Sequence, residues 1–171
     1  MATTAISVQE YLSTVWLPDR DYVDGEVLER NLGEQEHSLL QIWLGYWFLS
    51  HRKNWRVVPL TEQRVQVSPT NFRIPDVCLR EESDPLDRIL HRPPILCVEI
   101  MSREDRLSNI RKRADDYFRM GVRNVWVVNP HKRRAYASVN GKLEEFAGDT
   151  LRIANTDIHV PLADLWAELD R

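Results

Sequence analysis

Residues 95–128 read ILCVEIMSREDRLSNIRKRADDYFRMGVRNVWVV. The run Ile95–Met101 is apolar and rich in β-branched residues, the pattern of an interior strand, with a single acid, Glu99, inside it. From Asp105 to Met120 the apolar residues recur at helical spacing, and Gly121 supplies the residue type that closes helices in the left-handed conformation. Val125–Val128 is a second buried strand. Strand, helix and strand in that order make a crossover between parallel neighbours. The stretch therefore predicts an α/β (α+β) fold, with a mixed sheet built on a central βαβ unit and helices flanking it.

Working outward, Ser7-Val-Gln-Glu10 has the spacing of a helix capping box and predicts a short helix to about Trp16. Tyr22–Leu28 reads as a hairpin, because Asp24-Gly25 suits a tight primed turn. Glu36–His51 is a strongly apolar helix, packed on two sides, against a sheet and against something else, for which a partner subunit is one candidate. Strand-like pieces follow at Trp55–Val58, Glu62–Val67 and Arg73–Arg80, the last two separated by the turn signal Ser68-Pro-Thr-Asn71. Residues 81–94 form a loop. Asn140-Gly141 marks a hairpin turn, and a helix covers 162–170. With no repeat, low-complexity tract or linker, the 171 residues are expected to form a single domain, with 1–19 as a helical lead-in.

Composition bounds the function classes. A chain of this length with 43% hydrophobic and 29% charged residues can bury a core without disulfide or metal staples. No stretch approaches the roughly 18–20 apolar residues needed to cross a bilayer, and the start lacks the pattern of a signal peptide. Cys78 and Cys97 sit in apolar runs without metal-site spacing, so they read as buried thiols of a cytoplasmic protein. A net charge of −3 argues at first against nucleic acid, but it sums opposed regions. Residues 1–50 hold eight acids and two bases, whereas 103–134 hold ten bases and four acids.

Two carboxylates stand where an ordinary core would not place them: Asp76 after Pro75, and Glu99 in its apolar strand. A buried ionised carboxylate is costly unless paired, hydrogen-bonded or metal-bound. One reading is a structural ion pair to one of the nineteen arginines. The other is a shared cation, since two like charges on neighbouring strands need one between them, and such an oxygen-rich site suits Mg²⁺. By strand periodicity Cys97 and Met101 share the face of Glu99, and Cys78 that of Asp76.

Pro75-Asp76, then Glu99 in a hydrophobic strand followed by Ser102 and a basic helix, resembles the PD-(D/E)XK nuclease superfamily. Tyr22-Val-Asp-Gly-Glu26, Glu36-His37, Val98-Glu-Ile-Met-Ser102, Asp116-Tyr-Phe-Arg-Met-Gly-Val122 and Asn124-Val-Trp-Val-Val-Asn-Pro130 appear in order around it. Together they resemble the Uma family of restriction endonucleases, widespread in bacteria, over nearly the whole chain from about residue 20. The resemblance implies a restriction endonuclease-like fold and a Mg²⁺- or Mn²⁺-dependent endonuclease acting on DNA. It implies Asp76, Glu99 and the carbonyl of Ile100 as metal ligands, Glu26 as a further site acid and His37 as a family histidine. A solvated residue after the turn is the other reading of Glu26, and a helix-end hydrogen-bonder that of His37.

The sequence departs from the superfamily at its lysine. Met101 stands at the E-x-K position, and the Uma alternative, four residues before Tyr117, is Arg113, with Lys112 beside it. Helical phase separates these neighbours. At about 100° per residue, Leu107, Ile110, Ala114, Tyr117 and Phe118 form the buried stripe. Arg113 flanks that stripe with Arg106 and Tyr117, while Lys112 points into solvent. An arginine stabilises phosphate charge but stays protonated and cannot be a general base. The alternative to an active endonuclease is thus a nuclease-like domain that binds nucleic acid or a protein partner without cutting. Trp43 and Trp47, one turn apart, read as core or as the face of a homodimer.

Overall fold

In the computed structural model, residues 5–30 and 34–170 are described. The elements run α1 (Val8–Ser13), β1 (Asp21–Val23), β2 (Glu26–Leu28), α2 (Gln35–Trp55), β3 (Val57–Thr61), β4 (Val65–Ser68), β5 (Asn71–Arg73), β6 (Val77–Glu81), β7 (Leu96–Ile100), α3 (Leu107–Met120), β8 (Asn124–Asn129), β9 (Arg134–Val139), β10 (Lys142–Phe146), β11 (Thr150–Arg152), β12 (His159–Pro161) and α4 (Leu162–Ala167), with a 3₁₀ turn at Glu168–Asp170. The main sheet has the order β10-β9-β8-β7-β6-β3. β7 and β8 are its parallel pair, from Leu96↔Asn124 to Ile100↔Val128, and the other neighbours run antiparallel. The expected βαβ unit is therefore the centre of the sheet.

Strand alternation divides the core in two. Val77, Leu79, Leu96, Val98, Ile100, Trp126 and Val128 face α2 and α4, where they meet Leu40, Leu44, Phe48 and Leu165. Cys78, Cys97, Met101, Val125 and Val127 face α3, against Ile110, Ala114 and Tyr117. Both thiols are free and fully buried. A second sheet, β2-β1-β5-β4, packs Tyr22 and Phe72 on Tyr11 of α1.

Local signals account for the element ends. The Ser7 side chain accepts from the Glu10 amide, as a capping box requires. Gly121 closes α3 at φ 108°, its amide bonded to the carbonyls of Tyr117 and Phe118. At Asp24-Gly25 and Asn140-Gly141 both turn residues have positive φ, as a primed hairpin turn demands. Among the described helices none is long and apolar enough to cross a membrane.

Four boundaries differ from the sequence reading. α1 ends at Ser13 instead of near Trp16. α2 continues to Trp55, which therefore opens no strand, and ends on Arg56 in the left-handed conformation. Glu62, also at positive φ, breaks the expected strand 62–67, leaving β4 to start at Val65. The run 73–80 is not one strand: β5 ends at Arg73 in the small sheet, and β6 begins at Val77 in the main one. Pro75 cannot donate to a ladder, and the crossover Ile74-Pro75-Asp76 leaves the Asp76 side chain where the two sheets meet.

Candidate active site

The β6–β7 ladder stops at Val77↔Val98. Beyond it the Ile100 amide has no strand partner, and the Asp76 carboxylate takes its place: Oδ2 accepts from Ile100 N at 2.7 Å. Because the amide and carbonyl of a strand residue point to the same side, the Ile100 carbonyl also faces the Asp76 side of β7. The other oxygen, Oδ1, is paired with Arg30 Nη2 at 2.7 Å and with His37 Nε2 at 3.3 Å. Gln41 of α2 donates to the Asp76 carbonyl at 3.0 Å. α2 thus approaches the site with its first two turns, through His37 and Gln41.

Glu99 lies on the next strand, with its side chain 1% exposed. Tyr117 donates to its Oε1 at 2.6 Å, and Arg113 to its Oε2 at 3.0 Å. α3 presents both donors, four residues and one turn apart, on the flank that helical phase assigned to them. Lys112 is exposed, and Arg106, the N-cap of α3, is exposed too. Met101 is buried in the α3-side core, so the E-x-K position contributes packing.

Beyond Arg113 the charges alternate. Arg113 Nε lies 3.7 Å from Asp21 Oδ2, which pairs with Arg73 Nη1 at 2.9 Å. Asp21 Oδ1 accepts from the Ile74 amide at 3.2 Å, pinning the crossover that carries Asp76. Arg73 reaches Asp116 at 2.7 Å, and Arg119 holds the other oxygen of Asp116 at 2.9 Å. Asp21, Arg73 and Asp116 are all buried, so each depends on its partners.

These surroundings set the two carboxylates apart. Burial acts to raise the Asp76 carboxyl, but the His37 hydrogen bond and charge, the Arg30 guanidinium and the Ile100 amide outweigh it and hold Asp76 below its ordinary value. Burial dominates at Glu99 and, with the charges of Asp76 and Asp21 and against Arg113 and Tyr117, pushes it up to about 7. His37 rises because its bond to Asp76 and that carboxylate's charge overcome the burial that would lower it. Asp76 Oδ2 and both oxygens of Glu99 each accept one hydrogen bond in the contacts above, so each keeps a lone pair. Two carboxylates and a backbone carbonyl are hard oxygen donors, and the incompletely compensated Glu99 is the group a cation would relieve. The donor set fits a hard divalent ion.

The structure therefore brings Asp76, Glu99, Ile100, Arg113 and His37 together. Glu26 follows the hairpin turn, exposed, opposite Val23. The buried acid of that hairpin is Asp21, which joins the network from the other end of β1. The sequence singles out none of Asp21, Arg30, Gln41 and Arg73 as site residues, and Asp116 stands there only inside a family motif; Asp21 ends the charged run Asp19-Arg20-Asp21, which hides it. Trp43 and Trp47 stack on each other at 5.2 Å and, partly buried, pack against the core, as the core reading of that pair expects. A separate group, Glu34, Glu36 and His131, brings its ligand atoms within 4.8 Å of one another, but Arg103 already spans the two glutamates.

Comparison with known proteins matches residues 15–156 to the family described as "Uma2: Putative restriction endonuclease". Among solved structures, the chain is similar to "a putative nuclease belonging to DUF820 from Anabaena variabilis ATCC 29413", with TM-score 0.82 and 18% identity over 96% of this chain and 99% of that one. That likeness shows the fold. The DrdV–DNA complex is similar over 76% of this chain and 10% of that chain, with TM-score 0.41 and 16% identity. No curated protein matches.

Proposed function

We propose, from the premise that this chain belongs to the Uma2 family of restriction endonucleases, that it is a divalent-metal-dependent endonuclease cutting phosphodiester bonds in DNA. The observation that carries the proposal is the pair of buried carboxylates, Asp76 immediately before β6 and Glu99 in the neighbouring β7. Both are oriented by dedicated hydrogen bonds, and they differ in their affinity for protons. Asp76, Glu99 and the Ile100 carbonyl would hold Mg²⁺ or Mn²⁺. When bound, such an ion supplies an activated water at neutral pH and neutralises charge on the scissile phosphate.

The chain's own groups do the rest. Asp76 stays ionised because His37, Arg30 and the Ile100 amide stabilise its negative form. Arg113, permanently protonated, offers its guanidinium to the phosphate oxygens and takes the electrostatic half of the missing lysine's role. It cannot accept a proton, so no side chain at the lysine position serves as base. His37 and Arg30, each with a side chain 13% exposed, form with Arg113, 18% exposed, the accessible rim over the buried acids. Asp21 positions Arg113 and the Ile74 amide from behind.

One observation favours a second reading, a nuclease-like domain that binds nucleic acid or protein without cutting. Arg113 already closes on Glu99, so its charge is engaged within the protein in the absence of substrate. The deciding experiment incubates supercoiled plasmid with purified protein and Mg²⁺ or Mn²⁺. Nicking that disappears in Asp76→Ala and Glu99→Ala supports the endonuclease. DNA binding with no metal-dependent nicking supports the second reading.

A further inference from the structure

One guanidinium of the site serves two carboxylates. Arg113 donates from Nη1 to Glu99 Oε2 at 3.0 Å, while its Nε stands 3.7 Å from Asp21 Oδ2, beyond hydrogen-bond length. Arg73 is shared in the same way, between Asp21 and Asp116. Two arginines thus serve three carboxylates, Glu99, Asp21 and Asp116, whose side chains are 1%, 3% and 9% exposed. Among the described residues the one further cation on these three is Arg119, which reaches Asp116 from the surface. The Glu99–Asp21 end of the run is therefore short of positive charge, where burial makes that shortage costly.

The two contacts of Glu99 differ in how readily they are replaced. Tyr117, which holds Oε1 at 2.6 Å, is fully buried in the core under α3. Arg113, which holds Oε2, lies on the accessible rim at the end of a long, unbranched side chain. A divalent ion shared by Asp76 and Glu99 sets a second positive charge against that guanidinium. It also takes over the neutralisation of Glu99, so the pull of Glu99 on Arg113 falls while that of Asp21 is undiminished. Asp21 can receive the arginine: its Oδ2 accepts from Arg73 Nη1 at 2.9 Å and keeps a lone pair for a second donor. The move is short, under about 1 Å at Nε, to bring 3.7 Å down to hydrogen-bond length. Arg73 and the Ile74 amide already fix the Asp21 carboxylate, so the receiving group is in place beforehand.

We infer that Arg113 has two seats, on Glu99 in the metal-free protein and on Asp21 once a divalent ion occupies Asp76 and Glu99, and that Asp21 is the positioning residue of the second seat. The inference rests on the endonuclease reading for its ion. In the second seat Nε is held by Asp21, and both Nη groups, released from Glu99, form a fork for two phosphate oxygens. In the first seat that fork is spent on the protein's own carboxylate. The metal-free site is thus closed to phosphate by Arg113, and the ion opens it. The contact between Arg113 and Glu99 is then the resting state of a site that cuts, and it no longer favours a domain that only binds.

Nuclear magnetic resonance of the arginine Nε–H groups in isotope-labelled wild type reads the move without reference to cleavage, with Arg113→Lys identifying the signal by its loss. On addition of millimolar Mg²⁺ the Arg113 signal should move downfield and exchange more slowly with water, as a new bond to a carboxylate requires. Calorimetric Mg²⁺ titration in a double-mutant cycle tests Asp21. Asp21→Asn should weaken Mg²⁺ binding about tenfold more with Arg113 present than in an Arg113→Met background, whereas loss of a nearby charge alone acts in both. Fluorescence anisotropy with a short DNA duplex at saturating Mg²⁺ adds a sign. Removing an acid would by itself tighten the duplex, but loss of the second seat should weaken it. An Arg113 signal that stays put while Mg²⁺ binds overturns the inference and leaves the metal site standing. Equal effects of Asp21→Asn in the two backgrounds, or a duplex held no less tightly by Asp21→Asn, overturn it as well. Neither heat nor any shift with Mg²⁺ removes the ion and the inference together. A signal that moves in a protein that never nicks plasmid sinks the endonuclease reading and leaves the two seats standing.

Discussion

Glu99→Gln should change how the stability of the metal-free protein depends on pH. The Glu99 carboxyl titrates near 4.5 in an unfolded chain and at about 7 in the folded one, raised first by burial. A carboxyl raised in this way favours folding fully below about pH 4.5, and that contribution is lost as pH rises through 7, because the unfolded chain ionises first. The whole difference amounts to about 3 kcal/mol, of which roughly 2–3 kcal/mol falls between pH 5 and pH 8. Asp76, held low, stays ionised across that window and contributes no slope. His37, held high chiefly by Asp76, adds a loss of the same sign in both proteins, smaller in the variant by the part that the Glu99 charge contributes. Arg113 remains charged throughout, so its altered contact with the neutral amide of the variant shifts that protein's curve by a constant. The pH-dependent difference between wild type and variant therefore reports Glu99 together with its coupling to His37. Urea unfolding in chelator from pH 5 to pH 8 measures it, and thermal midpoints should separate by about 5–10 °C over the same range. Mg²⁺ at pH 8 should stabilise wild type more than the variant. Parallel pH profiles for the two proteins would refute the placement of an under-compensated carboxylate at Glu99.

Asp76→Asn keeps an acceptor for the Ile100 amide but removes the charge, and it should reduce metal-dependent nicking at least about 100-fold, measured as initial rates on supercoiled plasmid. Arg113→Ala should lose about 100-fold, as removal of a charge-stabilising donor does elsewhere, whereas Arg113→Lys should retain most of the rate and bring in a group able to titrate. Cys78 and Cys97 should resist a thiol reagent in native protein and react fully in denaturant, since both are fully buried and burial pushes the Cys78 thiol up to about 12.

The centre of the fold was legible because its signals are local. β7, α3 and β8 each carry a pattern long enough to name, and Gly121 marks the stop between them. The partition of 73–80 between two sheets was not, because Arg73-Ile-Pro-Asp-Val-Cys-Leu-Arg80 is apolar enough for a single strand. Only pairing with β1 and β4 on one side, and with β3 and β7 on the other, decides where it breaks. The same contrast holds in the site. Asp76 and Glu99 show as charges in apolar surroundings, and the phase of α3 picks Arg113 over Lys112. Asp21 has no such contrast, being one of three charged residues in Asp19-Arg20-Asp21. Its importance comes from Arg73 and Arg113, 52 and 92 positions away. Glu26, the residue the family pattern suggested, falls on the same face of the hairpin as Asp21 but at its exposed turn end.

The distribution of charge bears on how tightly such a site could hold a polyanion. Of the ten bases in 103–134, Arg103 is tied to Glu34 and Glu36, Arg113 to Glu99, Arg119 to Asp116, Arg133 to Asp170 and Arg134 to Glu145. Half of the bases in the segment that looked phosphate-binding are thus engaged within the fold, and the acid-rich first third supplies Glu34 and Glu36 to Arg103. Arg106, Arg111, Lys112, Arg123 and Lys132 remain as exposed cations, spread along α3, the loops that flank it and the β8–β9 turn. A guanidinium held by a carboxylate of its own chain neutralises no phosphate, and the counterion it would have released no longer adds to the binding free energy. On the endonuclease reading, a protein so arranged would depend on an ion held by Asp76 and Glu99, more than on its surface, to hold a phosphate. Its affinity for DNA should therefore follow the divalent metal as closely as it follows salt.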